Sequence, residues 1–133
     1  MLLLNFPSKI KDIIALDESL VNFQDALKLS SDNYGRIFNI KLMKCGSIEE
    51  AQEMIKISKS YGLKIMLGCM VESSLGITAA AHLSSEVDYA DLDGNMLISN
   101  DPYEGIKIKN GQIVLNKKSG LGVTLKSKNK NLL

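Results

Sequence analysis

Residues 37–46 read Ile-Phe-Asn-Ile-Lys-Leu-Met-Lys-Cys-Gly, and Ser47-Ile48-Glu49-Glu50 follows at once. Ile37–Met43 is a β-branched, apolar run of strand length, with Lys44-Cys45-Gly46 as the loop that ends it. Ser47–Glu50 is a capping-box signature, a Ser N-cap with Glu three residues on. Ile48, Ala51, Met54, Ile55 and Ile57 then recur at spacings that suit one buried helix face. Gly62 stands where a C′ glycine belongs, and Leu63–Leu67 is a further apolar run ending in Gly68-Cys69-Met70. Strand, helix, strand is the order of a βαβ unit, whose two strands lie parallel.

The same grammar extends in both directions. Upstream, Lys11–Leu16 is a β-branched run ending in Asp17-Glu18-Ser19, and Phe23, Ala26, Leu27 and Leu29 follow at helical spacing. Downstream, Ser73–Leu83 is an alanine-rich helix and Val87–Leu92 a short fourth strand. Four β-runs separated by helix-length segments predict an α/β fold with a parallel sheet. After Asp93 the style changes. Ile106–Lys109 and Gln112–Leu115 flank Asn110-Gly111, the strongest short signal for a hairpin.

Composition narrows the function classes. The chain has 133 residues, 45% hydrophobic and 23% charged, with net charge +1, values ordinary for one globular domain. Nothing in that balance points to nucleic acid or an anionic membrane, and no apolar run reaches the length of a membrane span. Met1–Phe6 is apolar, but no small-residue cleavage site follows it. Cys45 and Cys69 lack metal-ligand spacing and read as free thiols in a reducing, cytoplasmic setting. The lysines at 126, 128 and 130 predict a solvated, disordered tail over residues 126–133. His82, alone in an alanine-rich helix, reads as a packing or surface residue.

The chemistry-bearing residues share a location. Asp17, Lys41, Glu72, Asp91 and Asp93 all fall at or just past the C-terminal ends of predicted strands, the face that carries active sites in parallel α/β folds. Strand alternation puts Asn39, Lys41 and Met43 on one side, opposite Phe38, Ile40 and Leu42, and puts Asp91 and Asp93 together. From the residues alone, Lys41 either snorkels outward or points inward. Asp17 and Ser19 serve equally as helix caps, and Asp91 and Asp93 as an ordinary strand-end pair.

Asp17-Glu18-Ser19, Asn39-Ile40-Lys41-Leu42-Met43-Lys44, Gly68-Cys69-Met70-Val71-Glu72-Ser73 and Asp91-Leu92-Asp93-Gly94, in that order and spacing, resemble the enolase superfamily. Within it they resemble the muconate-lactonizing subgroup and, most closely, its dipeptide epimerases, over roughly residues 10 to 125. The resemblance implies a partial (β/α) barrel of the TIM type. Roughly its last four parallel strands with their helices, plus the C-terminal hairpin, form one domain over residues 1–133.

The implied reaction is abstraction of the proton α to a carboxylate, with a divalent metal, Mg²⁺, stabilising the enediolate and lysines as acid and base. Asp17 then matches the third metal carboxylate and Lys41 the second acid/base lysine. Asp91 and Asp93 match the pair that receives the substrate ammonium group, and Glu72 a position in the pocket wall. The family's Lys-x-Lys motif, two further metal carboxylates and the capping domain have no counterpart in these residues and would lie upstream. Gly46-Ser47 stands where the family usually shows two glycines.

The resemblance therefore predicts part of a dipeptide epimerase, inactive as an isolated chain. Its partners would be a dipeptide or other small carboxylate, further copies of the chain, or a separately encoded N-terminal half. Alternative readings are a fragment akin to muconate cycloisomerase or o-succinylbenzoate synthase, and a non-catalytic, self-associating remnant.

Overall fold

The computed structural model describes residues 7–32 and 34–127. A short helix α1 (Ser8–Lys11) precedes strand β1 (Ala15–Leu16) and helix α2 (Phe23–Asp32). Strand β2 (Ile37–Lys41) runs into a single turn, α3 (Leu42–Cys45), before helix α4 (Ile48–Ser60) and strand β3 (Lys64–Gly68). Helix α5 (Ser74–Ala81) leads to strand β4 (Tyr89–Ala90). The four strands form one parallel sheet in the order β1-β2-β3-β4, with Leu16 opposite Phe38, Lys41 opposite Gly68 and Leu67 opposite Ala90.

The core lies where the sheet meets its helices. Phe38, Ile40, Ile65 and Leu67 on β2 and β3 are fully buried, together with Ala51, Met54 and Ile55 of α4. Burying a side chain of that size contributes about 1.5–3 kcal/mol. The alternate residues of β2, Asn39 and Lys41, therefore point away from the helices, as the two-residue period requires. Met43 does not continue that row. The chain leaves the strand at Lys41, and Met43 sits exposed on α3. The first strand is also shorter than the run Lys11–Leu16, because Lys11 ends α1 and only Ala15 and Leu16 pair with β2.

Helix ends follow side-chain chemistry. Ser47 Oγ accepts from the Glu50 amide at 3.0 Å, the expected cap of α4. Glu50 does not complete the box. Its Oε1 accepts from the Phe23 amide at 2.7 Å and so ties the start of α2 to α4. Asn22 and Asp25 cap α2 reciprocally. Asn22 Oδ1 accepts from the Asp25 amide at 3.0 Å, and Asp25 Oδ2 accepts from the Val21 and Asn22 amides at 3.1 and 3.3 Å. With those donors satisfied, Asp17 is not needed as a cap.

Beyond β4 the chain forms two antiparallel ribbons. The expected hairpin joins β6 (Lys107–Lys109) to β7 (Gln112–Val114). Asn110 and Gly111 both have positive φ (50° and 75°), as a two-residue type I′ turn requires. The other pairs β5 (Tyr103–Glu104) with β8 (Thr124–Leu125), which the sequence did not indicate. Lys126 is bonded through its amide to Pro102 O at 2.9 Å and through Nζ to Asp101 O at 2.8 Å, and the rest of the expected tail, from residue 128, lies outside the described residues.

Asp101 fastens this C-terminal segment to α5. Its Oδ2 accepts from the Ser74 hydroxyl and, at 3.0 Å, from the Ser74 amide, and its Oδ1 accepts from the Tyr103 amide at 3.1 Å. Burial alone would raise the pKa of this carboxyl. The Ser74 hydroxyl, the two amides and the nearby Lys126 charge outweigh it and hold the group below its ordinary value. Replacing Asp101 with alanine orphans buried donors, each worth about 1–3 kcal/mol. Asp101→Ala is therefore expected to unfold at clearly lower urea concentration, by about 2 kcal/mol or more.

Candidate active site

Parallel pairing carries the ends of β1 and β2 side by side, and three charged residues meet there. Lys41 Nζ lies 2.9 Å from Asp17 Oδ2, and Lys44 Nζ lies 2.6 Å from Asp17 Oδ1. The three side chains are only 25% (Asp17), 16% (Lys41) and 12% (Lys44) exposed, so water screens these pairs less than surface pairs. Asn39 Nδ2 adds a hydrogen bond to Asp17 Oδ2 at 3.0 Å. The Asp17 carboxylate thus accepts from Lys44 on one oxygen and from Lys41 and Asn39 on the other.

The two lysines are used differently. Lys44 Nζ also donates to the main-chain oxygen of Asp17 at 2.6 Å and makes a long contact of 3.5 Å with Asn39 O. Its donors are committed to holding the β1 end against β2. Among the described residues, the Lys41 ammonium pairs with Asp17 alone. An ammonium has three donors, so Lys41 retains capacity for another partner. Lys44 was not singled out in the sequence. Its repeat of Lys41 at i+3 was the available signal, and it becomes readable only because the chain turns helical at Leu42.

Glu72 folds back on its own loop. Its Oε1 accepts from the Met70 amide at 3.2 Å, and its carboxylate lies across Gly76 in the first turn of α5. Asp91 and Asp93 stand beyond the end of β4, both exposed, on either side of the buried Leu92, so the alternation persists past the last paired residue. Gly94 packs directly against Met70 O, which docks this segment on the loop after β3. The Cys69 thiol is pushed up chiefly by burial, with a partial offset from the Gly94 amide and further increases from the charges of Asp91, Asp93 and Glu72. The three carboxylates therefore share the surroundings of Cys69, one strand over from the Asp17–Lys41 pair. Both cysteines are free, and His82 is an exposed residue whose Nε2 meets Leu121 O at 3.2 Å.

A family model described as enolase C-terminal domain-like matches residues 8–129. The chain belongs to that family. Within it, the chain is 47% identical over 107 residues to an L-Ala-D/L-Glu epimerase of Bacteroides thetaiotaomicron, covering 80% of this chain and 27% of the relative. It is 40% identical over 120 residues to an L-Ala-D/L-amino acid epimerase of Flavobacterium johnsoniae, covering 90% and 35%. Among solved structures, a dipeptide epimerase from Methylococcus capsulatus complexed with Mg superposes with TM-score 0.87 at 36% identity, covering 93% of this chain and 37% of that one. The same enzyme crystallised with Mg and the dipeptide L-Arg-D-Lys gives TM-score 0.86. The chain spans about a quarter to a third of the length of the relatives it matches. These relatives are epimerases whose full-length chains are about three times as long. No helix among the described residues of this chain is long and apolar enough to cross a membrane.

Electrostatics of the Asp17 cluster give a pH signature. Burial raises the Asp17 pKa, but the Lys44 and Lys41 ammonium groups outweigh it and hold the carboxyl below its ordinary value of 3.8. The folded state then binds fewer protons here than the unfolded chain. The ion pairs contribute fully above that ordinary value, and the contribution is lost as pH falls through the lower folded value. Asp17→Asn is expected to be less stable than the parent at about pH 6, with the gap closing towards about pH 2. Urea midpoints measured across that range check it.

Proposed function

We propose that the parallel sheet is an arc of a TIM-type barrel and that residues 1–133 furnish one side of the active site of a dipeptide epimerase. The reaction is 1,1-proton transfer at the carbon α to a carboxylate. The observation that carries this reading is the meeting of Lys41 and Asp17 at 2.9 Å on the C-terminal ends of neighbouring parallel strands, with Lys41 keeping spare donors. Lys41 is the proton-transferring group on its side of the substrate. Asp91 and Asp93, both exposed beyond β4, receive the substrate ammonium through charge-assisted hydrogen bonds. Glu72 forms the wall beside them. An acidic pair at that place favours an ammonium-bearing dipeptide over muconate or a succinylbenzoate precursor.

The Methylococcus relative holds Mg. The donors present here do not make such a site by themselves. Mg²⁺ requires a near-octahedral set of oxygens, whereas Asp17 offers one carboxylate already engaged by two ammonium groups. Among the described residues no three His, Cys, Asp or Glu converge. No step is therefore assigned to the ion in these residues.

Inversion requires acid/base groups on both faces of the α-carbon, and the cluster supplies one. The isolated chain is accordingly inert, and turnover needs residues contributed from outside these 133. The measurement is deuterium uptake from D₂O at the α-carbon of an L-Ala-L-Glu dipeptide with Mg²⁺, followed by ¹H NMR. The chain alone is expected to give none. A complex with a polypeptide supplying the preceding barrel strands of an epimerase is expected to exchange, and Lys41→Met to slow that exchange at least about a hundredfold. Unchanged exchange in Lys41→Met would overturn the assignment.

Among the described residues, strands β1 and β4 are the edges of the sheet, each paired on one side only. Met43, Val71, Met96 and Leu97 are 61–67% exposed in the loops and turns that follow the strands. Unpaired edges and exposed apolar side chains both favour association. Light scattering at micromolar concentration is expected to find the chain associated. A clean monomer with cooperative unfolding contradicts this.

A further inference from the structure

We propose that Asn39 is a positioning residue for Lys41, its side-chain carbonyl serving as a second seat that lets the Lys41 ammonium leave Asp17 without leaving the site. The inference rests on the reading of Lys41 as the proton-transferring lysine.

Asn39 is 7% exposed and lies two residues before Lys41 on the same face of β2. Its Nδ2 donates to Asp17 Oδ2 at 3.0 Å. An ionised carboxylate only accepts, so this bond sets which end of the amide faces Asp17 and turns Oδ1 the other way. Among the described residues that Oδ1 is buried and has no hydrogen-bond partner. A buried carbonyl oxygen without a donor carries a desolvation penalty, and buried polar groups are paired in the great majority of cases.

Its surroundings identify the donor. On the paired strand, the point where a Cβ on Gly68 would stand lies 2.4 Å from Asn39 Oδ1 and 3.1 Å from Lys41 Cε. The orphan acceptor and the last methylene of Lys41 thus flank one small space, kept open because Gly68 has no side chain. Nζ is one bond beyond Cε. Rotation about the terminal bonds of the lysine carries Nζ from Asp17 Oδ2 towards Asn39 Oδ1. Lys44 cannot make the same move, since its ammonium also holds the Asp17 main chain. Lys41 has the spare donors and Asn39 the spare acceptor. The seat keeps the ammonium above the sheet when its pairing with Asp17 is broken, so that the proton it carries remains aimed into the site.

The test uses the 133-residue chain and needs no turnover. Lys41 is labelled by reductive methylation, and its rate is read by peptide mass spectrometry in the parent and in the Asp17→Asn background. Removing the seat with Asn39→Leu is expected to raise labelling in the Asp17→Asn background by about tenfold, the effect of one charge-assisted hydrogen bond. In the parent, where Asp17 still holds the amine, the same change has a smaller effect. Asn39→Asp, which keeps an acceptor, restores slow labelling. Equal effects in both backgrounds, or none in Asp17→Asn, overturn the proposal. A crystal structure of the Asp17→Asn chain is the second measurement. Lys41 Nζ within hydrogen-bond distance of Asn39 Oδ1 supports the seat, whereas Lys41 turned to solvent, or a water on Oδ1, refutes it. Failure of the epimerase reading would instead appear in the deuterium experiment, with these results unaffected.

Discussion

Strand β2 is hydrogen-bonded to a parallel neighbour on each side, and the two-residue period of its backbone divides its side chains between core and site. Phe38 and Ile40 go under the helices with no exposed surface. Asn39 and Lys41 are thereby sent to the opposite face, against Asp17 just past β1 and Gly68 of β3. A one-residue slip in this register would exchange the two sets, burying an amide and an ammonium in an apolar core. The same apolar contacts that fold the domain therefore aim its candidate site residues.

Charge sharing follows from that placement. A half-buried carboxylate is tolerated when it is paired and hydrogen-bonded, and Asp17 has two lysines and an amide. The division of labour between the lysines is geometric. One turn of helix after β2 brings Lys44 back over the β1 end, where it binds both carboxylate and main chain. Lys41 is still on the strand and reaches Asp17 end on. Two residues of one type, three positions apart, become a structural fastening and a group with spare donors.

Polar contacts fasten the C-terminal segment, alongside the burial of Ile106 in the core. Asp101 satisfies the Ser74 amide and hydroxyl, and Thr78 Oγ1 accepts from the Ile106 amide at 2.9 Å while bonding back to Ser74 O. These contacts set the position of α5. Helix α5 in turn fixes the loop with Glu72, and the 3₁₀ turn after Asp93 packs on the same helix. Residues far along the chain from the lysines thus shape the acidic side of the site.

Sequence alone determined the element order, the parallel α/β class, the Asn110-Gly111 hairpin and the strand-end placement of Asp17, Lys41, Glu72, Asp91 and Asp93. These depend on local periodicity, capping and turn chemistry, which are short-range. It did not determine that β2 stops at Lys41, that Asn22 and Asp25 rather than Asp17 cap α2, or that β5 and β8 pair across residues 105–123. Nor did it show Lys44 on Asp17, Glu50 on the Phe23 amide, or the unpaired oxygen of Asn39 beside Gly68. The β5–β8 pairing and these last three contacts join residues distant in sequence, and only the folded arrangement of the elements sets which donor stands within hydrogen-bond reach of which acceptor.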